Sequence, residues 1–146
     1  MLVSGDFTFG VPKNDLWSAL INPYYFGRLI PNIQSIVKLE EDIFKVNGDI
    51  NISGRDIELS AILKILDKPV SEMISLSITQ EGTFGFLSAI VTFYLEETSE
   101  DKTKMVYNVD VKIPFFLKTM LGKKVDGLIK EKANEFFQNL NSYLKS

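Results

Sequence analysis

Tyr107, Gln80 and Lys132 are polar residues that fall on predicted apolar faces of this chain, which makes them its candidates for chemistry. Tyr107 lies within one alternating apolar run, Gln80 continues another, and Lys132 lies at about 60° on a helical wheel, inside a predicted apolar arc. In an apolar pocket, a hydroxyl, an amide and an ammonium group can orient a ligand through hydrogen bonds. Each also has a structural interpretation that we favour: the tyrosine finds a backbone partner, the glutamine lies at a turn, and the lysine stem reaches water. The three side chains are therefore not interpreted as a catalytic set.

The composition removes the residues on which many catalytic and metal sites depend. The 146 residues include no histidine and no cysteine, which excludes disulfides, thiol nucleophiles and thiolate metal sites and removes the commonest general base. The carboxylates cluster in predicted turns, a hairpin tip and a wet strand face, and they indicate no acid–base pair. We expect no catalytic residue, no metal and no cofactor, and an enzyme is the less favoured class.

Charge and hydropathy narrow the choice of partners and compartment. The net charge of −3 and the pI of about 5.0 disfavour nucleic acid as a partner. The N-terminus has no basic segment followed by an apolar one, and no window approaches the ~18 apolar residues of a membrane span. We expect a cytoplasmic protein, with peripheral contact at the inner face of the membrane as a further option.

The elements that must position these side chains follow from periodicity. Apolar and polar residues alternate with a period of two in seven runs, which predicts seven strands. The runs cover residues 7–11, 33–40, 44–52, 57–65, 74–79, 87–95 and 105–113. Residues 12–21 and 24–30 predict two short helices, because Pro12 suits a first helical turn while Pro23 and Pro31 end helices. Tight turns between the later strands predict an antiparallel meander.

The longest helical pattern covers residues 115–144. Its apolar side includes Val125 and Ile129, and Gly122 and Gly127 are its weak positions. A helix of roughly thirty residues would be about 45 Å long, too long to rest on another helix in so small a protein. It therefore needs a sheet to lie across.

Together these elements predict an α+β fold of the helix-grip type (START/Bet v 1-like). In this fold a seven-stranded curved antiparallel sheet surrounds a long C-terminal helix, with two short helices after the first strand. We predict one domain over residues 1–146. The small inward residues fit either a densely packed core or room for a ligand, and both interpretations stay open. The predicted ligand-binding residues are Trp17, Phe26, Gly48, Ala61, Gln80, Ala89, Tyr107, Val125, Ile129 and Lys132.

The first half of the long helix carries an excess of lysines. The lysines at positions 118, 123, 124, 130 and 132 oppose only Asp126 and Glu131, and Phe115 and Phe116 flank them. The favoured interpretation is a solvated helix face. The alternative is a basic surface that docks on an acidic partner or an anionic membrane.

Several short motifs resemble those of the carbon monoxide dehydrogenase CoxG proteins, a family of the polyketide cyclase/START-like (SRPBCC) superfamily. The opening motifs are Phe9-x-x-Pro12, Trp17-x-x-Leu20, Asn22-Pro23 and Ile30-Pro31. The turn Gly82-Thr83-Phe84-Gly85-Phe86 is similar to the glycine-rich turn of that family. Leu121-Gly122-Lys123-Lys124-Val125 and Phe136-Phe137-x-x-Leu140 are similar to its closing helix.

The resemblance implies a non-catalytic accessory protein, linked in that family to maturation or membrane recruitment of a molybdenum hydroxylase. The wider superfamily implies an apolar cavity for a lipid- or quinone-like molecule. We therefore expect a binding protein for a hydrophobic small molecule. Two alternatives are a polyketide cyclase/aromatase-like enzyme using Tyr107, Gln80 and Lys132, and a protein-docking module with a filled core.

Overall fold

The computed structural model of the chain describes residues 1–30, 32–52, 54–67, 72–82, 85–115, 118–119, 122 and 124–146. Its strands are β1 (Leu2–Phe9), β2 (Ile33–Glu40), β3 (Ile43–Ile52), β4 (Arg55–Asp67), β5 (Met73–Gly82), β6 (Gly85–Ser99) and β7 (Lys102–Lys112). Its helices are α1 (Lys13–Leu20), α2 (Tyr24–Leu29) and, at the C-terminus, α3 (Lys124–Lys145).

The seven strands form one antiparallel sheet in the order β1-β7-β6-β5-β4-β3-β2. Strands β2 to β7 are neighbours in sequence and in space, as tight turns predict. The first strand pairs with the last, with Gly5 opposite Tyr107. Helices α1 and α2 therefore carry the chain from one edge of the sheet to the other. The predicted α+β architecture, with its two short helices and its long C-terminal helix, is confirmed.

The C-terminal helix begins later than its sequence pattern predicts. Ahead of it, the Lys118 amide donates to the Pro114 carbonyl at 3.1 Å and the Gly122 amide donates to the Lys118 carbonyl at 2.8 Å. Gly122 then adopts φ 57°, in the left-handed region, which ends the helical turn because a right-handed helix does not include that conformation. The predicted start at Phe115 is therefore wrong, and the 22 residues of α3 span about 33 Å.

An aromatic cluster fills one end of the space between the sheet and α3. The Phe137 ring lies 5.3 Å from Tyr107, 5.8 Å from Phe7, 6.0 Å from Phe9 and 6.2 Å from Phe93, measured between ring centroids. Tilted and edge-on pairs of this kind stabilise a core beyond the area that they bury. We call this the closed end of the fold.

The C-terminal half of α3 is also tied to the chain by polar contacts. The Gly10 amide donates to Asn141 Oδ1 at 2.9 Å, and Arg28 Nη1 donates to Tyr143 Oη at 3.0 Å. Leu16 and Leu20 of α1 are fully buried at this end. These contacts fix the C-terminal half of α3 over the closed end.

Candidate ligand-binding cleft

Cross-strand register arranges the inward side chains in rows, and their burial changes from one end of the sheet to the other. Ile74, Phe93 and Tyr107 share a row at the closed end and are 0%, 5% and 5% exposed. Toward the opposite end, one row pairs Ala61 with Gln80 and Gln80 with Leu87, and the next pairs Ile78 with Ala89. Of these, Gln80 is buried, whereas the apolar members are only half-buried. These five residues define what we call the cleft.

The N-terminal half of α3 lies over the cleft. Phe137 contacts Tyr107, and Val125 lies about 18 Å along the helix from Phe137. The Gln80 row lies about 20 Å along the strands from the Tyr107 row. Val125 is 5% exposed and Ile129 is half-buried. These two predicted residues therefore form the helical wall of the cleft.

The structure brings Ala61, Gln80 and Ala89 together in the centre of the sheet. Ala61 is the direct cross-strand partner of Gln80, and Ala89 is the partner of Ile78, two residues away on the same face. Diagonal neighbours of this kind lie about 7–8 Å apart. The two short alanine side chains leave the Gln80 amide flanked by the smallest apolar groups of the cleft.

The Gln80 side chain is the buried polar group of the cleft. Its residue is 8% exposed, and no hydrogen bond joins its amide to another described residue. In the same part of the chain, every enclosed side-chain nitrogen or oxygen has a partner. The amide must therefore keep an opening to solvent, because an enclosed amide would have needed a partner.

Tyr107 is not part of this group. Its ring covers Gly5 on β1, where an added Cβ would lie within 2.8 Å of the hydroxyl and two ring carbons. Burial raises the pKa of the Tyr107 hydroxyl above its ordinary value of 10.0; Lys130 opposes the rise, and Asp126 and Asp6 add to it. The hydroxyl is thus a neutral group at physiological pH, about 20 Å along the strands from Gln80.

Two predicted site residues are placed differently from expectation. Lys132 is exposed, and its Nζ lies 3.6 Å from Glu135 Oε2 on the solvent side of α3, so its placement inside the apolar arc is wrong. At Gly48 an added Cβ would lie 2.5 Å from the Asn32 carbonyl oxygen, so the missing side chain accommodates the backbone before β2 and leaves no room for a ligand. Both corrections depend on packing between elements that are distant in sequence.

The other two predicted residues lie on the short helices. Trp17 of α1 is half-buried and packs against the core cluster at the closed end. Phe26 lies in α2, and its side chain is outside what the structure describes. Neither placement adds a side chain to the described cleft.

The lysines of the long helix are partly neutralised. Lys130 Nζ lies 3.5 Å from Asp126 Oδ2, and Lys132 is paired as described above. Lys118 and Lys124 are exposed, and Phe115 is 83% exposed. Phe116 and Lys123 lie outside the described residues. The basic surface that the structure describes is therefore Lys118 and Lys124 beside an exposed aromatic ring.

A second depression lies between α2 and β2, and no sequence pattern indicated it. Its volume is about 160 Å³. Tyr24, Gly27, Ile33, Gln34, Ser35 and Ile36 line it. It forms where α2 rests on the edge strand, so only tertiary packing creates it. It is open and has mixed polarity, which distinguishes it from the apolar cleft.

Metal and membrane-spanning motifs were also sought among the described residues. In those ranges, no group of three or more acidic side chains is placed to hold a metal ion. None of the helices in the described part of the chain has the length and apolar character that a membrane span requires.

Comparison with solved structures shows the same fold over nearly the whole chain. A conserved protein from Geobacillus kaustophilus matches with a TM-score of 0.90 and 19% identity, over 99% of this chain and 95% of that chain. A START superfamily protein from Mycobacterium smegmatis matches at 0.76 and 14%, over 99% and 97%. The Zhui aromatase/cyclase from Streptomyces sp. R1128 matches at 0.69 and 11%, over 99% and 93%. At these identities the likeness shows the fold alone.

Sequence comparison identifies the family. No functionally curated protein shows significant similarity to the chain. The family model that describes the carbon monoxide dehydrogenase CoxG proteins matches residues 5–145, which include every strand pairing row of the cleft. The helix-grip fold and this match agree, and the chain belongs to the carbon monoxide dehydrogenase CoxG family.

Proposed function

We propose that the protein binds a hydrophobic small molecule, lipid- or quinone-like, in the cleft between the sheet and the N-terminal half of α3. The observation that carries the proposal is the burial gradient along the inward face. Apolar residues at the closed end are almost fully buried, whereas Ala61, Ile78, Leu87 and Ala89 are only half-buried although they face inward. Covering such a concave apolar surface is favourable by about 25 cal/mol per Å².

The geometry favours binding over catalysis. The enzyme alternative requires Tyr107, Gln80 and Lys132 to act on one substrate. In the structure Lys132 is on the solvent side of α3, and Tyr107 lies three rows from Gln80. Groups that act in one step must lie within a few ångströms of the reacting atoms. A non-catalytic role therefore fits the described side chains better.

Cavity-filling variants test the proposal. Ala89→Phe adds a ring inside the cleft, and Ile90→Phe, at the adjacent position that is 48% exposed on the other face of β6, adds a similar ring outside it. We expect the Ala89 variant to lose at least about tenfold in affinity for the neutral dye Nile red, since one blocked side-chain volume removes contacts worth about 1–3 kcal/mol. The Ile90 variant should bind like the parent protein. Equal binding by all three proteins would favour the filled-core docking module.

Native mass spectrometry of protein purified from its own host gives a second test. A co-purifying apolar molecule is expected in the parent protein and should be depleted in the Ala89→Phe variant. Absence of any bound molecule, together with no thermal stabilisation by quinones or fatty acids, would contradict the proposal.

Family membership supports a further part of the proposal, an accessory role beside a molybdenum hydroxylase of the carbon monoxide dehydrogenase type. The test is affinity purification of the tagged chain from its host. Enrichment of the polypeptides of a molybdenum hydroxylase is expected. Recovery of the tagged protein without them, under conditions that keep such an enzyme intact, would contradict this role.

We also propose that the basic surface beside Phe115 contacts an anionic membrane. Phe115 is 83% exposed, and Lys118 and Lys124 are exposed near it. An aromatic ring with flanking lysines suits the headgroup region of an anionic bilayer. Phe115→Ser should reduce sedimentation with vesicles containing phosphatidylserine, whereas Tyr94→Ser, on the outer face of β6, should not. Equal sedimentation of both variants with the parent would refute the contact.

A further inference from the structure

We infer that the Gln80 amide determines the specificity of the cleft by hydrogen-bonding an uncharged polar head, a carbonyl or a hydroxyl, on an otherwise apolar ligand. The inference rests on the proposed binding function and names the ligand class for that site. It also assigns Gln80 as the residue that selects this class. The surrounding Ala61 and Ala89 would leave the amide accessible to the head group.

The first step is that the amide is available. Gln80 is 8% exposed and forms no hydrogen bond with another described residue, although enclosed polar atoms in that part of the chain are all paired. A glutamine amide offers two donors and one acceptor with two lone pairs. A buried amide that lacks partners is costly. A ligand head that supplies a donor or an acceptor would remove that cost.

The second step is that no described charge serves the same site. The lysine predicted nearest to the cleft, Lys132, is on the solvent side and is paired with Glu135. The rows of the cleft contribute alanine, isoleucine, leucine and the Gln80 amide. A carboxylate placed there would lose its hydration without gaining a cationic partner, which is far more costly than burying a carbonyl. The cleft therefore discriminates against fatty-acid anions.

The third step is that the second buried hydroxyl lies elsewhere. Tyr107 is three rows away and covers Gly5. A compact polar head cannot reach both groups. Recognition by one neutral amide, with the remainder of the ligand held by apolar contacts, is the arrangement that the described residues support.

A matched set of ten-carbon probes tests the inference: decane, 2-decanone, 1-decanol and decanoate, each displacing Nile red at pH 8. In the parent protein the ketone and the alcohol should bind more tightly than decane, and decanoate should bind most weakly. Gln80→Leu should weaken the ketone and the alcohol about three- to tenfold, the range of one neutral hydrogen bond. It should leave decane unchanged. Gln80→Lys should reverse the order by strengthening decanoate.

Thr79→Val is the control, because Thr79 is the next residue on the opposite face of β5 and should leave all four affinities unchanged. Decanoate binding most tightly in the parent protein would overturn the inference, as would a Gln80→Leu variant that binds the ketone like the parent. If decane itself fails to displace Nile red, the proposed binding function fails and the inference fails with it. If decane binds and the Gln80 variants match the parent, only the role of Gln80 fails.

Discussion

The contact between Tyr107 and Gly5 makes a quantitative prediction about packing at the closed end. An added Cβ at Gly5 would lie 2.6 Å from the Tyr107 ring carbon Cζ and closer still to the hydroxyl oxygen. The ring is 5% exposed and lies 5.3 Å from the Phe137 ring, so it has little space into which to move. Forcing a methyl group into such a core costs about 1–3 kcal/mol. We expect Gly5→Ala to destabilise the parent protein by that amount.

The same substitution should have the opposite effect when the ring is absent. In a Tyr107→Leu background the colliding atoms are gone, and replacing glycine by alanine inside a strand should stabilise by roughly 0.5–1 kcal/mol. The two substitutions should therefore be coupled by about 1.5 kcal/mol or more.

Urea unfolding of the four proteins, followed by fluorescence of the single tryptophan, measures this coupling. A destabilisation of about 1–3 kcal/mol moves the midpoint by about 1 M for a protein of this size. An equal cost of Gly5→Ala in both backgrounds would refute the packing argument.

Three further predictions concern stability. Gly122→Ala should destabilise by about 1 kcal/mol because φ at this position is 57°, whereas Gly127→Ala, with nothing within 4 Å of an added Cβ, should stabilise α3 by roughly 0.5–1 kcal/mol; thermal unfolding of both variants checks the opposite signs. Burial raises the pKa of Tyr107, so the unfolded chain loses this proton first, and stability should fall as pH rises above about 10; Tyr107→Phe should flatten that fall in unfolding curves. Thr103→Val should cost about 1–3 kcal/mol in urea unfolding, because Thr103 Oγ1 donates to the buried Val11 carbonyl at 2.9 Å.

The strands and short helices could be predicted from local sequence because their causes are local. Alternation in residues 44–52 and 105–113 puts every second side chain on one face, and the prolines at 12 and 23 restrict their own neighbourhoods. The start of α3 could not be predicted in the same way. The apolar pattern continues through residues 115–123, and only the backbone conformation of Gly122 shows that the helix is interrupted there.

The candidate site divides along the same line. The sequence by itself determined that Ala61, Gln80 and Ala89 share an inward face, because side chains two residues apart in a strand point the same way. Only the tertiary structure decided which small residue opens space. Gly48 is occupied by the backbone at Asn32, and Gly5 is covered by Tyr107, since strand pairing sets what lies above each position. The rotation of α3, fixed by Phe137 and Leu140 in the core, likewise turned Lys132 to solvent, because helix packing and not the wheel alone determines which side chains face the sheet.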